Sequence, residues 1–308
     1  MKKFIPTVLA IAVFVALFVW VKVSGMDGEV DEEEETPEEE AVWKVDAQDI
    51  EAIRVEREDG MLVFNKEKGG WQATEPQPFP VDGASLDAVA SSMASLTGKR
   101  IEQSDQALAD FGLEDPSTAV TLRLSDGQTY TLSLGDETPV DNMRYVQVEG
   151  VSAIYTVDAF ALEELSQPAD TFMDRTLWSV EEDDVTSIAL TWGDEEIQIA
   201  RDGDEWKVNG KQLSTEQAGA IFSQMNAVTA QGLPVEAMPD GSDFQLTIET
   251  EEGAETWTGA RKEDRLFVQK EGGEWIYPVV PADIDQLIED VHSVREQKEG
   301  EREGKDHD

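Results

Sequence analysis

Apolar and polar residues alternate around Ile53 to Val55 and again from Met61 to Phe64, and the two runs meet across Glu58-Asp59-Gly60, where Asp and Gly tolerate positive φ. The pattern predicts a hairpin, with a third strand starting at Trp71 after Gly69-Gly70. The period then changes: Asp82 precedes a run that puts Leu86, Val89, Ala90 and Met93 on one face, which predicts a capped helix. Period-two patterning returns at Val120 to Leu124, Tyr130 to Leu134, Tyr145 to Val148 and Ala153 to Val157, with turns at Asp126-Gly127 and Glu149-Gly150.

The same succession then recurs. Val185 to Leu190, Ile197 to Ala200 and Trp206 to Val208 are followed by a helix carrying Ala218, Ile221, Phe222 and Met225, which Ser214 and Gln217 open as a capping box. Strands follow at Phe244 to Glu249, Phe267 to Lys270 and Trp275 to Val279. Trp43, Asp49-Ile50, Ile53, Val55 and Trp71 reappear as Trp178, Asp184-Val185, Ile188, Leu190 and Trp206 at one offset of about 135 residues, the mark of a copied folded unit. Further on the offset drifts: Val81 and Met93 align with Leu213 and Met225, Val120 to Leu124 with Phe244 to Ile248, and Tyr145 and Tyr155 with Phe267 and Tyr277. Hairpin-linked strands interrupted by helices, without a βαβ rhythm, predict an α+β fold of two duplicated lobes, each with antiparallel strands and two helices. The expected boundaries are 43–177 for lobe 1 and 178–294 for lobe 2.

The ends belong to neither lobe. Lys2 and Lys3 precede an uncharged run from Phe4 to Val21, about 18 residues and just long enough to cross the hydrocarbon core as a helix. A cleaved signal peptide ending near Val23-Ser24-Gly25 and a retained signal anchor both fit. The long run, Trp20 at its exit and the lack of an Ala-x-Ala site favour an anchor over residues 1–25. Either way the lysines place the bulk of the chain outside the cytoplasm, so a single-pass cell-membrane protein is expected. Residues 26–42 are mostly acidic and predict a disordered tether, and 295–308 form a charged tail.

Composition removes several chemistries. Lys and Arg total 24 against 67 Asp and Glu, a formal charge of −43 that repels nucleic acid. There is no cysteine, hence no thiolate nucleophile, disulfide or Cys-ligated metal. The two histidines, His292 and His307, lie at the C-terminal end, too few and too late for a triad or a hydrolytic zinc site. Carboxylates are so abundant that a pair between the lobes, as in an enzyme acting on cell-wall glycan, stays open as an alternative. Asp202-Gly203-Asp204 and Asp240-Gly241-Ser242-Asp243 gather hard oxygens in turns, which makes Asp202, Asp204, Asp240 and Asp243 weak calcium candidates, although neither has EF-hand spacing. Trp43, Trp71, Trp178 and Trp206 recur between lobes and read as core anchors, whereas Trp192, Trp257 and Trp275 have no repeat partner and are candidates for a binding surface.

Asp110-Phe111-Gly112-Leu113-Glu114-Asp115-Pro116, with Trp43, Asp49-Ile50, Trp71, Pro80-Val81-Asp82, Leu132 to Gly135 and Tyr145-Val146, resembles the bacterial family called domain of unknown function 4340. The similarity runs from about Val42 to Val291, and lobe 2 departs from it with Met238-Pro239-Asp240-Gly241 in place of Phe-Gly-Leu. The resemblance implies a membrane-anchored exported protein, commonly encoded beside an ABC-type transporter and a gliding-motility-like auxiliary protein. It supplies no catalytic residues and no cofactor. The resulting expectation is a non-catalytic accessory, scaffold or binding protein of a transport system. The acidity reads equally as adaptation to salt or alkaline surroundings. Self-repulsion at this charge predicts that the melting temperature rises as sodium chloride screens it, and a thermal denaturation series across salt concentration checks this.

Overall fold

A computed structural model describes residues 39–101 and 107–303. Lobe 1 contains β1 (Glu39–Ala41), β2 (Ile50–Arg57), β3 (Gly60–Glu67), β4 (Gly70–Glu75), helix α1 (Gly83–Ala94), β5 (Thr97–Ile101), β6 (Thr118–Leu124), β7 (Thr129–Glu137), β8 (Met143–Val148) and β9 (Ile154–Asp158). Lobe 2 contains β10 (Val185–Trp192), β11 (Glu195–Asp202), β12 (Glu205–Val208), β13 (Lys211–Gln212), α2 (Thr215–Ala227), β14 (Phe244–Thr250), β15 (Gly253–Lys262), β16 (Arg265–Lys270), β17 (Ile276–Val279) and α3 (Pro281–Glu303). The α+β class with antiparallel sheets is as the pattern predicts.

The duplication appears as one strand order written twice. Sheet 1 runs β1-β5-β9-β8-β7-β6-β2-β3-β4 and sheet 2 runs β13-β12-β11-β10-β14-β15-β16-β17, so the seven strands from β9 to β4 match those from β17 to β12. Register repeats as well: Ile53 faces Leu122 and Ile188 faces Ile248, and a bulge follows Ile50 in one lobe and Val185 in the other. This register corrects the alignment of Val120 with Phe244, because Val120 faces Val55 while Leu246 faces Leu190, the repeat partner of Val55. The displacement is two residues. A slip of two keeps every side chain on its own face, so hydrophobic patterning cannot detect it.

The pattern missed β1, β5, β13 and β15. Thr97 to Ile101 and Glu39 to Ala41 lack alternation and are strands only because each finds a partner, β5 against β9 and β1 against β5. The acidic stretch expected to be tether through residue 42 therefore enters the sheet at Glu39, and Val42 is buried. Lobe 2 echoes this arrangement with single bridges, Thr176 to Thr229 and Val235 to Ile276. The lobes close differently. Lobe 2 ends on α3, which buries Ile284, Leu287, Ile288 and Val291 at helical spacing. Lobe 1 has a 3-10 segment, Ala159–Ser166, burying Leu162 and Leu165, in place of the expected second helix. Pro168 holds Gln167 in extended backbone (ψ 148°) and ends the segment there. Helix α3 also carries residues 295–303 of the charged tail.

Each sheet turns one face to its helix and the other to water, as the alternating burial along β6 and β14 illustrates. Trp43 lies under α1 and donates its indole N–H to the Met93 carbonyl at 2.6 Å, and Trp178 donates to the Met225 carbonyl at 3.0 Å. Each indole adds a second bond to a carbonyl of the last helical turn, which already accepts a main-chain N–H just beyond the helix, Leu96 on Met93 at 3.3 Å and Val228 on Met225 at 3.2 Å. Between the lobes the chain is packed, with Ala169, Phe172, Met173 and Leu177 buried. Asp82 N–H donates to the Phe172 carbonyl (2.9 Å) and Ala230 N–H to the Arg175 carbonyl (3.0 Å), so this strap is bonded to both lobes, and one apolar core runs through them. Gln77 Nε2 adds a direct bond across to the Pro234 carbonyl at 2.7 Å.

Among the described residues no helix is long and apolar enough to cross a membrane, and Phe4 to Val21 lie outside them. Replacing Trp178 with Phe keeps most of the buried area but removes the indole bond, leaving the Met225 carbonyl with the Val228 N–H alone. We expect Trp178→Phe to lower unfolding free energy by about 0.5–1.5 kcal/mol in chemical denaturation.

Candidate functional site at the tip of lobe 1

The Phe-Gly-Leu segment has a structural reason for its composition. Residues Leu108–Phe111 form a 3-10 turn, held at its start by Asp110, whose carboxylate accepts the Ala107 N–H at 3.1 Å. Gly112 closes the turn at φ 67°, a left-handed conformation that glycine adopts without cost, and Leu113 N–H bonds back to the Leu108 carbonyl at 2.9 Å. The reversal lets Phe111 and Leu113 both reach the outer face of sheet 1. There they cover Ile154 and pack with Ile101 and Tyr145, forming a small second core on the face that is otherwise wet. The Phe111 and Tyr145 rings meet edge to face at 5.0 Å.

The approach is so close that Gly135 has no room for a side chain: a Cβ there would stand 2.1 Å from the Phe111 carbonyl oxygen. Lobe 2 carries Ala260 at the matching place after Gly259, and its Met238 to Asp240 segment makes no such turn.

The same end of the sheet carries a second feature that lobe 2 lacks. β15 and β16 join tightly, with Lys262 facing Arg265, whereas β7 and β8 diverge beyond Glu137 and Arg144 into a longer tip. Asp141 and Asn142 take positive φ (67° and 49°), Thr138 N–H bonds the Met143 carbonyl at 2.8 Å, and the Thr138 hydroxyl donates to the Val140 carbonyl. Asn142 in turn accepts the Ala159 N–H at 3.1 Å, which brings the tip beside the 3-10 segment that starts at Ala159. Val140 is 67 % exposed and Phe160 is 70 % exposed, the two most exposed large apolar residues among those described. Between tip and segment lies a pocket of about 260 Å³ that includes Glu137, Asn142, Arg144, Phe160 and Glu163. Arg144 is paired with Glu137 at 3.3 Å.

The tryptophans without repeat partners do not form a surface. Trp192 and Trp257 are buried at 5 % and 3 % exposure, and Trp275 packs half-buried against the main core. Trp257 takes the place of Leu132 on its strand. Trp192 takes the place of Arg57, and both positions tie a strand end to the segment closing the lobe. Arg57 Nη1 donates to the Gln167 carbonyl at 2.6 Å, and Trp192 Nε1 donates to Asp285 of α3 at 2.6 Å beneath the stacked Arg261 guanidinium.

The calcium candidates stay apart as well. Asp202 is paired with Lys207, which holds its carboxyl below the usual range, and Asp243 accepts the Arg261 N–H at 2.8 Å. Asp204 and Asp240 are exposed, and among the described residues no three His, Asp or Glu side chains gather to hold a metal ion. Two further carboxyls sit below their ordinary value: Asp82, chiefly through the Ser85 hydroxyl, and Asp87, through Lys66 and then the Trp71 indole.

A family model described as domain of unknown function (DUF4340) matches residues 71–246, more than half of the chain and reaching from β4 into β14. The fold and the Phe-Gly-Leu turn thus define a two-lobed α+β protein, and the chain belongs to the DUF4340 family. No curated protein and no solved structure matches it. The packing around Gly135 makes a paired prediction. Gly135→Ala should destabilise the protein by about 1–3 kcal/mol through overpacking against Phe111. Gly219→Ala, on an exposed turn of α2 with open space around it, should stabilise by about 0.5–1 kcal/mol, both read by urea denaturation.

Proposed function

We propose that this chain is a non-catalytic binding or scaffold module, anchored to the cell membrane with its lobes outside the cytoplasm, and an accessory of an ABC-type transport system. What carries the reading is where the lobes agree and where they differ. Shared positions such as Trp43 with Trp178 and Ile53 with Ile188 are interior, while lobe 1 alone has the extended tip with exposed Val140 and Phe160. A duplicated scaffold that diverges at one exposed apolar tip has the makings of an interaction module.

The N-terminal apolar run and the family resemblance motivate the membrane and transporter parts of the proposal. In a strain lacking this chain, transport by the neighbouring ABC-type system should fall and recover on complementation, and affinity purification from native membranes should recover the transporter's membrane component. Unchanged transport together with no co-purifying component overturns the proposal.

A further inference from the structure

We infer that the tip of lobe 1 is a docking surface for a segment of a partner protein in which Lys or Arg flanks an exposed apolar side chain. The inference rests on the accessory role proposed above and names the chemistry of its partner. Phe160 and Val140 hold large apolar surface in water from two elements that Asn142 and Ala159 bond together, so the two side chains are offered from one end of the lobe. The tip that carries Val140 adopts two consecutive left-handed non-glycine residues, Asp141 and Asn142, a conformation that costs free energy and is kept here by the Thr138 bonds. An exposed aromatic beside a pocket of about 260 Å³ is the arrangement in which an interface concentrates its binding energy.

Charge selects the occupant. Glu137, Asp141, Asp158, Glu163 and Glu164 are exposed around the apolar pair, and Arg144, the base lining the pocket, is committed to Glu137. An anionic bilayer is repelled by such a rim. A second copy of this chain would bring its own charge of −43 against it. A basic segment is attracted, and its apolar residue covers Phe160.

The test places the photo-crosslinking residue p-benzoyl-phenylalanine at position 140 or 160 of the full chain in its native membrane, with position 198 on β11 as a remote exposed control. We expect positions 140 and 160 to crosslink to one and the same protein, at a peptide with Lys or Arg flanking an apolar residue. With the crosslinker at 140, Phe160→Ser should cut the yield about tenfold, and Asp141→Asn with Glu163→Gln should weaken it and reduce its sensitivity to salt. Phe160 is mostly solvated, so an unchanged melting temperature of Phe160→Ser separates lost docking from lost folding.

Crosslinks to lipid alone, to a second copy, or to a segment without basic residues overturn the inference, as does an unchanged yield in Phe160→Ser. If position 198 captures transporter components while 140 and 160 stay silent, the docking surface is wrong and the accessory role stands. Silence at 140 and 160 overturns the inference, and the transport and co-purification measurements decide the accessory role separately.

Discussion

Each lobe depends on the long-range strand pairing that joins its two meanders, β2 with β6 in lobe 1 and β10 with β14 in lobe 2. Ile53 meets Leu122 and Ile188 meets Ile248 across it. On one side lies the meander β2-β3-β4 and on the other β6-β7-β8-β9, and without this junction they are separate ribbons too small to bury a helix. Closing it orders a long stretch of chain between the partners, including α1, and that entropy is offset only when the helix face seals the apolar side. Leu86, Val89, Ala90 and Met93 of α1 supply that seal in lobe 1, and Ala218, Ile221, Phe222 and Met225 of α2 supply it in lobe 2.

The recurrent tryptophan bond follows from the same geometry. A helix laid on a sheet ends with carbonyls that have lone pairs to spare, and an indole entering from the start of each lobe bonds one of them beside its main-chain partner. This locks the first residues of a lobe to the end of its helix, so the pre-strand segment is part of the folded unit. The strap from Ala169 to Leu177 extends the logic to the whole molecule, since it reaches lobe 2 only after bonding to the residues that precede α1. The lobes are joined by core and main chain, and the region where they meet is occupied at this strap.

The copies differ inside, where Trp257 replaces Leu132, and more widely at surfaces and ends. Gly135 leaves room for the Phe111 carbonyl where lobe 2 has Ala260, and Phe111 and Leu113, which lobe 2 lacks, dress the outer face of sheet 1 with a second small core. The dressing supports β7 and β8 near their ends, where the longer tip begins. Phe-Gly-Leu is therefore a positioning device for an exposed tip, and the residues that contact a partner in this view are others, Val140 and Phe160.

Alternation, caps and two Trp pairs were enough to predict the duplication, the antiparallel α+β class, and α1 and α2 with their buried faces, because these depend on local periodicity. Register between β6 and β14, the strands β1 and β5, and the 3-10 closure of lobe 1 were not legible. A slip of two preserves facing, edge strands exist only through their partners, and a helical run is cut short by Pro168. The signature turn was visible in the sequence, but its purpose was not, since nothing local links Phe111 to Gly135. Trp192 and Trp257 misled because an indole looks the same in sequence whether its face meets water or, as here, Phe244 and the core beneath. What the chain determined alone was its composition, charge and repeating pattern. Tertiary structure decided which apolar residues were left over once both sheets had closed, because exposure is set by packing partners distant in sequence.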